Sequence, residues 1–148
     1  MTDSATRRER LSRIEQGFGL RWVSHRIGAR DLRFAEVRDV DRCVEALYPH
    51  CLVDHGDAPV WMISWPAAFA LAEHLLQGAD LARQPVLELG CGTAVPGVAA
   101  AAAGAQVLAT DYDENALAFA EANARENGVE AFAVRSIDWY EPALDGRY

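Results

Sequence analysis

The run Pro85-Val86-Leu87-Glu88-Leu89-Gly90-Cys91-Gly92-Thr93-Ala94-Val95-Pro96-Gly97 narrows the folds open to this chain more than any other stretch. It reads as a short apolar strand, a glycine turn and the start of a helix. Gly90 and Gly92 have access to backbone angles closed to other residues and let a ligand come close to the main chain. The helix that follows offers unpaired N–H groups at its N-terminus. Strand, glycine turn and helix together form the opening unit of a nucleotide-binding βαβ fold, so the expected class is α/β.

The turn does not suit a dinucleotide. That fingerprint wants G-x-G-x-x-G, and Val95 stands at the third glycine position. Glu88 lies two residues before Gly90, where a carboxylate would repel a pyrophosphate with little water to screen the charges. A ligand with a cationic amine and no phosphate fits that acid better. S-adenosylmethionine, with an amino-acid end, a sulfonium, a ribose and an adenine, is such a ligand.

Leu87 to Thr93 resembles the first motif of the seven-strand methyltransferases that use S-adenosylmethionine. The longer run to Ala100, with Pro96-Gly97, and the earlier string Trp65-Pro66-Ala67-Ala68 resemble the branch of lysine-directed methyltransferase-like proteins. That branch usually has glycine where this chain has Ala94. The resemblance covers roughly residues 58–148 and implies a Rossmann-like fold. It also implies a cofactor held by Trp65, Glu88, Gly90, Cys91, Gly92, Thr93, Asp111, Tyr112, Asp138 and Trp139. In that family an acid at the place of Asp138 bonds the adenine amino group, and a neighbouring side chain packs on the ring, the role Trp139 fits.

The chain has 148 residues, enough for one domain with a sizeable core. No stretch approaches the about 18 consecutive apolar residues of a membrane span. The charged N-terminus lacks the apolar core of a secretory signal. Cys43, Cys51 and Cys91 show no metal spacing, and an odd count without a signal suggests reduced thiols in a cytoplasm. The net charge of −8 argues against nucleic-acid binding. Residues 1–30 are the exception, with seven Arg against three acids. A solvated basic helix face is the plain explanation, and a contact for an acidic partner the functional one.

Along the chain, residues 3–16 read as a polar helix capped by Ser4, peripheral or mobile, because Leu11 and Ile14 give it only a narrow apolar stripe. Leu20–Ile27 and Asp31–Val37 read as a hairpin turning at Gly28, a structural extension of the sheet, with a substrate-facing flap as the alternative. Residues 40–48 suit a short helix facing the core through Val44 and Leu47 and stopped by Pro49. His50, Asp54, His55 and Asp57 cluster in a loop, but nothing completes a metal set. A helix over Trp65–Leu76 shows an apolar face of Ala68, Phe69, Ala72, Leu75 and Leu76.

Beyond the glycine turn, Val95–Ala103 reads as the first crossover helix and Gln106–Asp111 as the second strand. Asp111 follows Gly92 by 19 residues, close to the spacing of a carboxylate that accepts from both ribose hydroxyls; the alternative is a cap for the next helix. Asp113 is better placed for that cap. Asp113–Asn127 reads as the second crossover helix with Leu117, Ala120 and Ala124 inward, and Val129–Arg135 as the third strand.

The expectation is therefore an N-terminal extension of helix, β-hairpin and short helix over residues 1–57, then a partial cofactor-binding domain over 58–148. The resembled fold has seven strands, and three of them are legible here. The chain reads as the N-terminal half of that sheet, cut from a longer enzyme, with no catalytic residue to carry over. The expected activity is N-methylation of a protein side chain such as lysine, in the cytoplasm, with a small-molecule amine as the other acceptor. Neither a membrane nor a nucleic acid is an expected partner. A non-catalytic module binding S-adenosylmethionine or a partner protein, and a nucleotide-dependent oxidoreductase, are the alternatives.

Overall fold

The structure, a computed structural model, describes residues 3–51, 59–78 and 80–140. Its centre is a parallel sheet of three strands: β3 (Pro85–Leu89), β4 (Gln106–Asp111) and β5 (Phe132–Ser136). The order is β3-β4-β5, with Leu87 beside Leu108 and Leu108 beside Ala133. Parallel neighbours need crossover connections, and each is a helix. In numbering along the chain these are α4 (Val95–Ala102) and α5 (Glu114–Glu126). Among the described residues β3 lies at an edge of this sheet.

Before the sheet come α1 (Asp3–Phe18), the antiparallel hairpin β1 (Leu20–Ile27) and β2 (Arg30–Val37), and α2 (Val40–Leu47). A 3₁₀ turn at Val60–Met62 then leads to α3 (Pro66–Gly78). Gly28 makes the hairpin turn at φ 57°, where a side chain would be strained. Pro66 sits at the start of α3, where its missing N–H costs no helical bond. No helix among the described residues is long and apolar enough to cross a membrane.

Two apolar clusters share α5. Toward the sheet, Leu117, Ala120 and Ala124 pack with Val98, Ala99, Val107 and Ala109. The five apolar positions expected on α3 all join this cluster. Away from the sheet, Ala116 and Phe119 pack with Ile14, Ala35, Val37, Cys43 and Trp61. The expected stripe on α5 is therefore half of its buried surface. The other half shows no simple spacing, because its partners come from the N-terminal extension.

The extension departs from several expectations. Helix α1 is packed rather than peripheral: Ile14 is 3% exposed, and Arg7 pairs with Glu114 and Glu121 of α5. Ser4 lies inside α1, not at its cap, and its hydroxyl donates to Glu121. The hairpin is a separate two-stranded sheet and does not extend the parallel one. It docks on α5 through buried amides. Asn123 accepts from Ala35 N–H at 2.8 Å, and Asn127 accepts from Arg33 N–H at 2.8 Å and donates to Arg33 O at 2.7 Å. On α2 the buried residue is Cys43, while Leu47 is exposed. Strand β5 begins at Phe132, three residues later than expected. Asp54, His55 and Asp57 lie outside the described residues.

Candidate functional site

The two strand-to-helix junctions of the parallel sheet meet at the C-terminal ends of the strands. There the structure brings all ten sequence-derived candidates, Trp65, Glu88, Gly90, Cys91, Gly92, Thr93, Asp111, Tyr112, Asp138 and Trp139, onto one cavity of about 490 Å³. That volume falls within the about 300–1,000 Å³ of small-molecule sites. Clefts form at this end of parallel sheets because the chain leaves successive strands in different directions.

Asp111 ends β4 and is 6% exposed. Its Oδ2 accepts from Gly92 N–H at 2.9 Å and its Oδ1 from Asp113 N–H at 3.0 Å. Each oxygen keeps a second lone pair for a ligand. The carboxylate thus ties the glycine turn to the start of α5, a role the spacing argument did not include. Asp113 caps α5 as expected, accepting from Asn115 N–H at 2.7 Å. Cys91 N–H donates to Thr110 O at 2.8 Å, and Asn123 Nδ2 donates to Thr93 O at 2.8 Å. The turn is held from three sides.

Glu88 sits differently. Its Oε2 is buried and has no hydrogen-bond partner among the described residues. Burial pushes its carboxyl up to about 8, against the weaker pull of the Gly97 N–H, and Asp111 adds to the rise. This burial favours the protonated form, whereas the sequence argument had treated the group as a carboxylate. A Cβ placed on Gly97 would lie 2.2 Å from that oxygen, so Gly97 is where α4 makes room for Glu88. The Cys91 thiol is pushed up by burial first and by Glu88 and Asp111 next, which keeps it protonated and poorly nucleophilic.

The glycines and aromatics give the cavity its shape. Gly90 and Gly92 both have positive φ, at 62° and 53°. A Cβ on Gly90 would come within 2.6 Å of the Trp139 ring, so Trp139 lies directly on the glycine turn. Trp139 and Tyr112 are nonetheless 61% and 68% exposed, and both edge the cavity mouth. Asp138 accepts from Tyr140 N–H at 2.9 Å through one oxygen and lines the cavity. Trp65 Nε1 donates to Val60 O at 3.2 Å, which fixes its ring at the N-terminal end of α3.

The sequence reading missed the wall formed by Pro59, Val60, Trp61 and Ile63. Trp61 lies against Gly92, and its Nε1 donates to the Tyr48 hydroxyl at 3.0 Å. That hydroxyl also accepts from Asn115 Nδ2 at 2.7 Å and donates to Asp113. Tyr48 belongs to the extension, and its phenol is pushed up by burial and by Asp113. No local pattern marks Tyr48 as part of a site. Only the tertiary contact of α2 with the α5 N-terminus places it there.

The cavity contains three acids, Glu88, Asp111 and Asp138, and its described lining holds no Arg or Lys. Its electrostatics therefore favour a cation, and its tryptophans and tyrosines offer flat faces to a ring.

Comparison with known proteins points to one chemistry. The family described as ribosomal protein L11 methyltransferase (PrmA) matches residues 69–142, half of the chain. The chain is 39% identical over 119 residues to a ribosomal protein L11 methyltransferase of Methylococcus capsulatus, a match covering 73% of this chain and 37% of that protein. It is 38% identical over 82 residues to the protein N-lysine methyltransferase METTL21A of Xenopus tropicalis, covering 52% and 38%. It is 33% identical over 87 residues to the histone-arginine methyltransferase METTL23 of Xenopus laevis, covering 57% and 37%. The matches span about a third of the length of these relatives.

Proposed function

We infer the function of this chain from its kinship: it belongs to the ribosomal protein L11 methyltransferase (PrmA) family. We propose that the cavity binds S-adenosylmethionine and that the parent reaction transfers its methyl group to a nitrogen of a protein side chain, such as lysine. The observation that carries the reading is the convergence of all ten candidate residues on one cavity, with three acids and no Arg or Lys among its described lining. A sulfonium bearing an α-amine meets the chemistry of that lining. The partnerless Oε2 of Glu88 is the acceptor an ammonium group would use.

In this reading the bound molecule supplies one thing, a methyl group made electrophilic by the sulfonium. The chain supplies position. Asp111 orients the ribose while holding the glycine turn through Gly92 N–H. Asp138 accepts from the adenine amino group, and Trp139 covers the ring. Gly90, Cys91, Gly92 and Thr93 line the methionine end, with Glu88 beneath and Trp65 and Tyr112 at the mouth. Closing aromatic faces over the cavity removes water and fixes geometry, the main sources of acceleration in such a transfer. The names of the relatives, which include lysine, arginine and ribosomal-protein methyltransferases, support a protein acceptor. We place the protein in the cytoplasm, consistent with its free cysteines. The separate sheets support a division near residue 57, with Tyr48 lent across it.

Titration with S-adenosylhomocysteine by calorimetry tests the cofactor. Saturable binding is expected, and replacing Asp138 by alanine weakens it without unfolding the chain. Because an ammonium beside Glu88 lowers its pKa, binding near pH 7 releases a proton, seen as a heat that varies with buffer ionisation enthalpy. Absence of binding by the folded chain, or saturable NADH binding, overturns the reading.

A further inference from the structure

A second cleft, of about 440 Å³, lies beside α1 and shares no lining residue with the first, and its polar lining has no assigned role. Thr6, Arg7 and Arg10 of α1 form one side. Arg135 and Ser136 at the end of β5 form another, and Glu114 at the start of α5 closes it. The guanidinium groups here are unequally used. Arg7, only 8% exposed, sits 3.5 Å from Glu114 and 4.0 Å from Glu121, so those two acids balance its charge. Arg10 bonds only the neutral Asn115 side chain, at 3.3 Å. The Nε of Arg7 faces Glu114, whereas the Nε of Arg10 is buried with neither an ion pair nor a hydrogen bond among the described residues. The Arg135 side chain has neither an ion pair nor a hydrogen bond among them.

Orphaned buried donors on a cation are costly, because desolvation goes uncompensated. A charged acceptor removes that cost. We propose that this cleft is a binding site for a single phosphate-type oxyanion, held by Arg10 and Arg135 with the Ser136 hydroxyl. Donors supplied by two elements, α1 and β5, suit a tetrahedral anion with several acceptor oxygens better than a flat carboxylate. The overall charge of −8 disfavours an extended polyanion, so the ligand is one oxyanion, free or carried as a phosphate monoester. The site does not depend on the methyltransferase reading. Asn115 bonds both Arg10 and the Tyr48 hydroxyl, and that hydroxyl accepts from Trp61 of the first cavity.

Inorganic phosphate is the probe, titrated into the 148-residue chain by calorimetry at constant ionic strength set with chloride. Saturable binding is expected, weakened on the order of tenfold by Arg10→Gln and by Arg135→Gln, since each removes a charge-assisted donor. Arg8→Gln, which removes an exposed charge from the same helix, leaves affinity unchanged. O-phosphoserine binding as well as phosphate does assigns the anion to a monoester carrier, whereas phosphate alone assigns it to the free ion; acetate binds more weakly than either. Because Arg135 is exposed, its variant stays folded even if Arg10→Gln loosens α1. No saturation by phosphate, or equal loss in all three variants, overturns the proposal.

Discussion

The two strand-to-helix junctions at the cavity share a topology and differ in how completely their polar groups are satisfied. After β4, Asp111 bonds two backbone N–H groups, Asp113 caps the helix, and Tyr48, Trp61 and Asn115 lock that cap in place. After β3, no side chain caps α4, Ala94 holds a left-handed conformation at φ 57°, and Glu88 keeps a partnerless oxygen. The first junction is a clamp. The second is left open, and an open polar junction in a cavity is where a ligand completes the hydrogen bonding. Fold and function are thus divided between equivalent turns.

Removing the clamp gives the largest effect. Asp111→Ala is expected to cost about 3 kcal/mol, from two buried N–H groups losing a charged acceptor, and to abolish S-adenosylhomocysteine binding. Chemical denaturation and calorimetry check the two parts; Asp111→Asn keeps one acceptor and falls between. At the open junction, Gly97→Ala drives a methyl into Glu88 and is expected to destabilise by about 1–3 kcal/mol. The same change in a Glu88→Ala background costs much less, so a double-mutant cycle isolates the contact.

Glu88→Gln sharpens the contrast through pH. In the unfolded chain Glu88 ionises near 4.5, and in the fold near 8. Between those values the folded state holds a proton that the unfolded state has lost. This contribution to stability is fully present below 4.5, falls as pH rises toward 8, and is flat beyond. Glu88→Gln removes that slope, whereas a ligand ammonium, by lowering the folded-state value, narrows it toward lower pH. Denaturation midpoints across pH 4–9, with and without ligand, give the answer. The smallest change is expected from Ala94→Gly. Relief of left-handed strain is opposed by glycine's entropy and by loss of a fully buried methyl, so stability moves within about 1 kcal/mol.

Much of the site was legible because its parts are local. A glycine turn, an acid at a strand end and an aromatic beside an acid are short patterns whose backbone demands are met by few residue types. The strands β3 and β4 followed from apolar runs bounded by Gly and Asp. The second burial face of α5 was hidden. Phe119 and Asn123 are buried by α1 and the hairpin, and no spacing within α5 announces partners about ninety residues away. Tyr48 was hidden for the same reason. The basic N-terminal helix looked solvated because a sequence shows charges and not their pairing.

The residues that meet at the cavity were those the family resemblance implied, while the sequence by itself determined the α/β class, the hairpin and the order of strand, turn and helix. Those depend on steric and hydrophobic preferences acting over a few residues. Tertiary structure decided that α1 is packed rather than free, that Asp111 is a clamp, that burial raises the Glu88 carboxyl, and that Trp61 belongs to the wall with Tyr48 bonded behind it. Each depends on what lies across space: burial sets a pKa, and a hydrogen bond needs both of its partners placed by the fold.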